Sequence, residues 1–559
     1  MLIVSRAILS LTLLGFAFTS YAEEPHVPET VREEQSEETS IRVILLVPNN
    51  EALKDLDTAP LSGVVNRNVQ LPGNSQKFLD ELEIKYLGQP LTQEEMTKIK
   101  RAIIRYYRSE NHPAVAVRFV QKGGQEGIAV FIISEAKIQN VSSQGPDRAS
   151  SRASKEHLEK YYDIQTEEYV AQDVLLNNVD WQNRNPFRRT IVPFPQGSEA
   201  GTSDLKFWSE DRFPVRFFAG ADNSGTKFTG RTRLYGGLTW GHVFGADDLL
   251  HYQYTINPTI DKFQSHYGTY IYFLPSKHIL NVFATYSTTD PDIRGFHGKG
   301  TCVQASFRYT VPLLPLYGPL KQEITAGADY KNTNTNLFFI DSSHPIHSRR
   351  VNIAQLVLNY SFERTWTRNE VEFALETFLS PGRTFWLANQ SNSAYHTLRP
   401  HAKNWYGYGR LTVGDVYQLP RCFSIAGLLR VQASFTPLLP TEQFGLGGYN
   451  TVRGYHERAF NADEALCANF EIRSPSLHLM KRCQDELIFL GFIDYGLGFN
   501  LEPTKGYPSS GHLLGAGPGV RYQIDTHFSA RADYGFRLHK VSGDRSGGGV
   551  AHVGVVGIF

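Results

Sequence analysis

Most residues of this chain that could do chemistry stand in patterns that withhold it. GADNSGTK, Gly220 to Lys227, has the glycine spacing of a phosphate-binding loop, yet Thr226 comes before Lys227. That loop needs Lys followed by Ser or Thr, so that a hydroxyl at the start of a helix reaches Mg²⁺. Here the flanks alternate like strands, and the segment is expected to be a hairpin loop. HExxH and GxSxG do not occur in the sequence, so zinc-protease and serine-hydrolase chemistry lack their anchors. His344 and His347 are i, i+3 apart, but Pro345 lies between them in a Ser-rich stretch, where that spacing gives no common helical face. Cys302, Cys422, Cys467 and Cys483 form no CxxC pair, so a zinc site is unsupported and packing roles are expected. No catalytic group, cofactor or metal is expected, and the chain is not read as an enzyme.

One pattern remains. FGLGGYNTVRGY, Phe444 to Tyr455, lies in a connection of about twenty residues, more than an ordinary hairpin requires. It ends on Val452, Arg453, Gly454 and Tyr455. Arg453 offers a planar fork suited to a carboxylate, and Gly454 allows a turn where a side chain would clash. Further on, FIDYG sets Asp494 between Phe492 and Gly496. The available chemistry is ion pairing. The bland alternative is a solvated surface arginine.

The elements that would position these residues are strands. From about Pro214 the helical period disappears and period-two segments recur between Gly, Pro, Asn, Asp and Ser clusters. In Phe528 to His539 one face is Phe528, Ala530, Ala532, Tyr534, Phe536 and Leu538, while the other carries Arg531, Asp533 and Arg537. Gln355, Asn359 and Glu363 alternate in the same way with Leu356, Leu358, Tyr360 and Phe362. Such faces suit lipid outside and a wet lumen inside. A β-sandwich with one solvated face would alternate likewise. Three features favour a membrane barrel. The strands run to about ten residues, the length a tilted membrane strand needs. Connectors alternate short and long, as Ser276-Lys277-His278 against Asp290 to Gly300. The chain also ends on an alternating strand whose last residue is Phe559. About sixteen strand candidates fall between Val215 and Phe559, an even number as closed single-chain barrels have.

Two compartments follow from what precedes the strands. Arg6, the apolar run Ala7 to Thr19 and Ser20-Tyr21-Ala22 read as a signal peptide too short to span a bilayer. The 56 basic residues are balanced by 56 acidic ones, so bulk charge does not favour nucleic acid. Residues 23–40 hold seven Glu against one Arg and read as a solvated linker. Then comes the order β-α-α-β-β. A strand Ile41 to Val47 is followed by a helix Gln76 to Tyr86 with Phe78, Leu82 and Tyr86 stacked. A second helix opens on the capping box Thr92 to Glu95 and buries Met96, Ile99, Ile103 and Tyr106 or Tyr107. Strands Ala114 to Val120 and Ile128 to Ser134 close this α+β domain. The order repeats with a strand Lys137 to Ser142, a helix Ser154 to Tyr161, a helix capped by Thr166 and running through Val179, and strands Arg188 to Phe194 and Thr202 to Ser209. The expected organisation is signal peptide 1–22, linker 23–40, first domain 41–135, second domain 136–212 and barrel 213–559.

From Tyr86 to Phe559 the chain resembles the two-partner secretion transporters (the haemolysin secretion/activation proteins) of the BamA-like superfamily. The resemblance rests on LGQPLTQEEMTKIKRAIIRYY, Leu87 to Tyr107; NRNPFRR, Asn183 to Arg189, with GTSDL from Gly201; DNSGTKFTGRTR, Asp222 to Arg233; and FGLGGYNTVRGY with FIDYG. It implies two periplasmic POTRA domains before a 16-stranded antiparallel outer-membrane barrel. It also implies that the long loop enters the lumen and sets Arg453 against Asp494, pinning the loop. Its implied partners are a secreted, β-helical exoprotein and outer-membrane lipid, with a monomeric barrel and no nucleotide. The family's amphipathic plug helix finds no matching face in residues 23–40. Two other readings stand beside it: a barrel-assembly factor of the same superfamily, and a passive porin. Finally, Cys422 and Cys483 are expected in neighbouring periplasmic turns, two strand spacings of ~4.8 Å apart, where a bond would need turn flexibility.

Overall fold

The computed structural model describes residues 40–49, 51–53, 62–120, 127–144, 164, 169–192, 202–291, 299–334, 350–383, 387–480, 483–503, 508–540 and 548–559. The expected signal peptide, nearly all of the expected linker, the helix expected at 154–161, the expected Thr166 cap, and His344 and His347 lie outside these residues. The chain forms two compact units that meet in sequence at Asp211 and Arg212.

In the first unit, Val43–Val47 is the buried centre of a four-stranded sheet. It runs parallel to Gly63–Asn66 on one side and to Ile128–Glu135 on the other, and Val115–Val120 pairs antiparallel beyond. Its unbroken apolar run has a cause: both faces are covered. Ile44 and Leu46 pack with the helices, and Leu45 and Val47 join Val130, Ile132 and Ala52. The strand Gly63–Asn66 was not expected. Its four residues are too few and too small to show a period, and they account for the long stretch between Val47 and Asn74.

The helices are Ser75–Tyr86 and Gln93–Ser109. Thr92 Oγ1 accepts from the N–H of Glu95 at 3.3 Å, one half of a capping box. The buried stripe is Met96, Ile99, Ile103 and Tyr107. Tyr106 instead stacks on Phe78 at 3.8 Å. Ile103 is 0 % exposed, so Ile103→Ala should cost about 2–5 kcal/mol. Limited proteolysis of the intact membrane-bound chain should then cut the first domain while sparing the barrel.

The next sheet orders Lys137–Gln144, Thr202–Asp211 and Arg188–Ile191. Its helix runs Gln172–Gln182, later than expected, and Ala171 at its start makes no side-chain cap. The cap comes from afar. Asn111, with φ 73° after the earlier helix, accepts from Asp173 N–H at 2.9 Å and donates to Asp173 Oδ1 at 3.2 Å. A distant Asn satisfies the helix start, so no local capping residue is needed.

The second unit is a closed antiparallel barrel of sixteen strands. Closure joins Gly549–Ile558 to Val215–Asp222, in register from Gly554 with Asp222 to Ile558 with Phe218. Phe217 and Phe559 exchange both backbone hydrogen bonds at 3.0 and 2.8 Å. Alternation sorts the wall: Leu356, Leu358, Tyr534, Phe536, Val553 and Val555 are exposed, while Gln355, Asn359, Asp533 and His552 are buried. GADNSGTK runs from the end of Val215–Asp222 into the connection to Arg233–Gly241, a hairpin loop between strands. All four cysteines are free; Cys422 and Cys483 are exposed in turns at one barrel end and form no bond.

The lumen is not polar throughout. Inward-facing Val351, Ile353, Phe378 and Tyr406 form an apolar cluster that receives Tyr395 and Leu398 of the short helix Asn392–Leu398. This helix belongs to the connection between Asn369–Pro381 and Trp405–Gln418, so part of a long loop packs against the inner wall.

Candidate functional site

The site is the connection between Ser424–Ser434 and Glu464–Arg473. It folds on itself as a small hairpin, Phe444–Leu446 paired with Phe460–Ala462, and carries VRGY at its tip. Its apolar side joins Val452, Tyr455 and Leu446 with Cys467 and Leu513 of the barrel strands. The loop therefore has a core of its own, built against the wall.

Arg453 is 3 % exposed and Asp494 0 %. Asp494 lies in Asp485–Phe499, whose odd-numbered neighbours Ile493 and Tyr495 are exposed, so its parity points inward. Arg453 Nε donates to Asp494 Oδ2 at 2.7 Å and Nη2 to Oδ1 at 2.8 Å, a fork-on-fork pair. The backbone N–H of Arg453 donates to Oδ2 as well, at 3.0 Å. The guanidinium lies 3.6 Å from the centre of the Phe492 ring, a cation–π contact in a dry setting.

Sequence reasoning put Arg531 and Asp533 on the polar face of their strand but did not join them, or Glu471, Arg473 and Arg521, to Arg453. Arg453 Nη1 donates to Glu471 Oε1 at 2.7 Å and lies 3.7 Å from Asp533. Glu471 also meets Arg473 at 2.7 Å, and Asp533 meets Arg521 at 2.7 Å and Arg531 at 2.6 Å. Parity offered a signal, since Asn469 is registered on Asp494 and Glu471 on Phe492. A strand pairing was needed to use it.

Space at the tip is made by absent side chains. Gly454 has φ +97°, which disfavours any other residue. A Cβ on wall residue Gly515 would stand 1.8 Å from Arg453 O, and one on Gly535 2.2 Å from Gly454 N. At Gly496 a Cβ would meet Val452 at 2.8 Å. Tyr455 is nearly fully buried, and its hydroxyl accepts from Leu514 N–H at 3.2 Å and bonds His539 O. All seven residues singled out in the sequence, Val452 to Tyr455 with Phe492, Asp494 and Gly496, thus meet at one place on the wall. Behind the tip, burial pushes the Glu457 carboxyl up to about 7, and this group accepts from the N–H of Tyr449.

Both feet of the loop are tied too. Glu442 takes Lys331 Nζ at 2.9 Å on both oxygens and Tyr408 Oη at 2.7 Å. Asp463 takes Arg399 Nη2 at 2.6 Å, Leu438 N–H at 3.0 Å and Leu501 N–H at 2.9 Å. These carboxylates are fully shielded. Nothing in their local sequence marks them. Apart from Leu438, which lies in the same loop, each partner is on another barrel strand or loop.

The geometry offers non-covalent anchoring of a loop inside the barrel. The family model described as "Haemolysin secretion/activation protein ShlB/FhaC/HecB" matches residues 201–522, more than half of the chain. The outer membrane transporter CdiB of Dickeya dadantii is 25 % identical over 304 residues, and the alignment spans 50 % of each protein. The heme/hemopexin transporter protein HuxB of Haemophilus influenzae is 20 % identical over 486 residues, spanning 81 % of this chain and 80 % of that protein. The solved structure of CdiB from Escherichia coli superposes with a TM-score of 0.64 at 16 % identity, covering 99 % of this chain and 96 % of that one. At that identity the superposition shows the fold alone, and it spans nearly all of the chain. Barrel and family match together make this chain a member of the haemolysin secretion/activation protein family, an outer-membrane two-partner secretion transporter whose barrel follows two small α+β domains in sequence.

Proposed function

We propose that the chain recognises a partner exoprotein through two periplasmic domains, 41–135 and 136–212, and passes it through the barrel, 213–559. The supporting observation is the loop seated inside a closed barrel by non-covalent contacts, ion pairs and hydrogen bonds beside a small apolar core. An obstruction held without covalent bonds can be displaced and restored. Val115–Val120 is an outer strand of the first sheet, and an extended partner could add to such an edge by main-chain pairing. No nucleotide is consumed. Differential binding inside and folding of the β-helical partner outside supply the direction. The barrel works as a monomer.

The test is co-expression with a candidate exported partner protein. Deleting residues 41–212 should stop secretion while the remaining barrel still inserts and shows heat-modifiable migration. Levels of other outer-membrane proteins should not change. Normal secretion by the deleted form would sink the recognition role, and a general loss of outer-membrane proteins would favour an assembly factor instead.

A further inference from the structure

One feature of the outer wall contradicts the alternation that built it. Asp415 shares the outward parity of Val413 and Tyr417 on Trp405–Gln418, where lipid is expected. Its Oδ1 is shielded from solvent and has no hydrogen-bond partner among the described residues. It opens into a depression of about 570 Å³ across neighbouring strands, lined by Gly427, Leu429, Ala468, Phe470 and Tyr495. The depression exists because two of these residues are small. No atom lies within 4 Å of where a Cβ would stand on Gly427, while Leu429, Phe470 and Tyr495 stand exposed around it.

Register orients the site. Asp415 pairs with Gly427, and Gly427 with Phe470; two residues further from the turn, Val413 pairs with Leu429, and Leu429 with Ala468. Asp415 is three residues from its strand's end at Gln418, about 10 Å along a strand. That end is the short-turn end, where Phe217 and Phe559 also meet and which faces the periplasm. A carboxylate thus sits near the inner-leaflet surface, and an apolar trough runs from it toward the membrane centre.

We propose that this depression binds one phospholipid of the inner leaflet that carries a primary ammonium headgroup. The ammonium pairs with the Asp415 carboxylate where this residue lines the depression, supplying a counter-charge that the described residues do not. An acyl chain fills the trough over Gly427 and Ala468. Charge decides the lipid class: an anionic headgroup at the same position would face Asp415 with like charge.

The full chain, delipidated in detergent, would be titrated with dioleoyl-phosphatidylethanolamine or dioleoyl-phosphatidylglycerol and observed by native mass spectrometry. The expected result is one ethanolamine lipid per chain, retained about tenfold better than the glycerol lipid. Asp415→Asn should erase the preference. Gly427→Leu, which has room for its side chain, should abolish retention of both while heat-modifiable migration stays normal. Equal retention of the two lipids by the unaltered chain overturns the proposal. So does unchanged binding in Gly427→Leu, or a dimer of the chain that Gly427→Leu breaks, which would make the trough a contact between copies. If Gly427→Leu fails to fold, the Asp415→Asn comparison decides alone.

Discussion

Arg453→Ala should stop secretion of the partner while the barrel folds and inserts at normal levels. The side chain makes four polar contacts, all inside the lumen: it pairs bidentately with Asp494, reaches Glu471, and approaches Asp533. None of the barrel's backbone ladders depends on it. Removing it leaves Asp494, which is fully buried, without its counter-charge, at a cost of about 3–5 kcal/mol. That cost falls on the seated tip, so the released population rises by about two to four powers of ten. Arg453→Lys restores charge without the fork and should recover only part of the activity. Asp494→Ala should resemble Arg453→Ala, and the double variant should be milder than the sum, as coupled neighbours are. The measurement is secreted partner at matched barrel levels in all backgrounds. Normal secretion by Arg453→Ala would reduce the loop to a lumen filler.

A second large effect needs no change in charge. Gly515→Val should unseat the tip although Arg453 and Asp494 both remain. A Cβ at 515 would overlap the carbonyl oxygen of Arg453 at 1.8 Å, backbone against wall. The wall strand cannot retreat, because Gly515 is registered on Asp494 on one side and on Arg537 on the other. Overpacking of this kind costs about 1–3 kcal/mol even where side chains can yield, and here the obstacle is main chain. Secretion should fall to the level of Arg453→Ala, and combining the two should add little. A spin label on the loop tip should report mobility in both variants. An immobile label in Gly515→Val would mean that the tip does not rest on this wall in the membrane.

Alternation made the barrel legible, because lipid on one side and water on the other leave a period-two record at every strand. The same parity placed Asp494 and Asp533 inside. What alternation cannot show is who stands opposite. Glu471, Lys331 with Glu442, and Arg399 with Asp463 became visible only through strand register and loop folding. The capping of Gln172–Gln182 by Asn111 is similar, since its donor and acceptor are far apart in sequence. Gly63–Asn66 failed for another reason: four residues are too short to show a period. Asp415 broke the rule outright, and the break itself carried information.

The tied feet set a limit on what the loop can become. From Glu442 to Arg453, and from Arg453 back to Asp463, about ten residues lie on each side, a reach of about 35 Å fully extended. While the carboxylates of Glu442 and Asp463 hold Lys331 and Arg399, the released tip swings on a leash anchored in the conduit. It never leaves like a cork. On the proposed route, cargo would then share the bore with two strands of the transporter's own chain. Such a bore admits an unfolded thread or a narrow hairpin, and a folded domain would have to wait outside until the thread had passed.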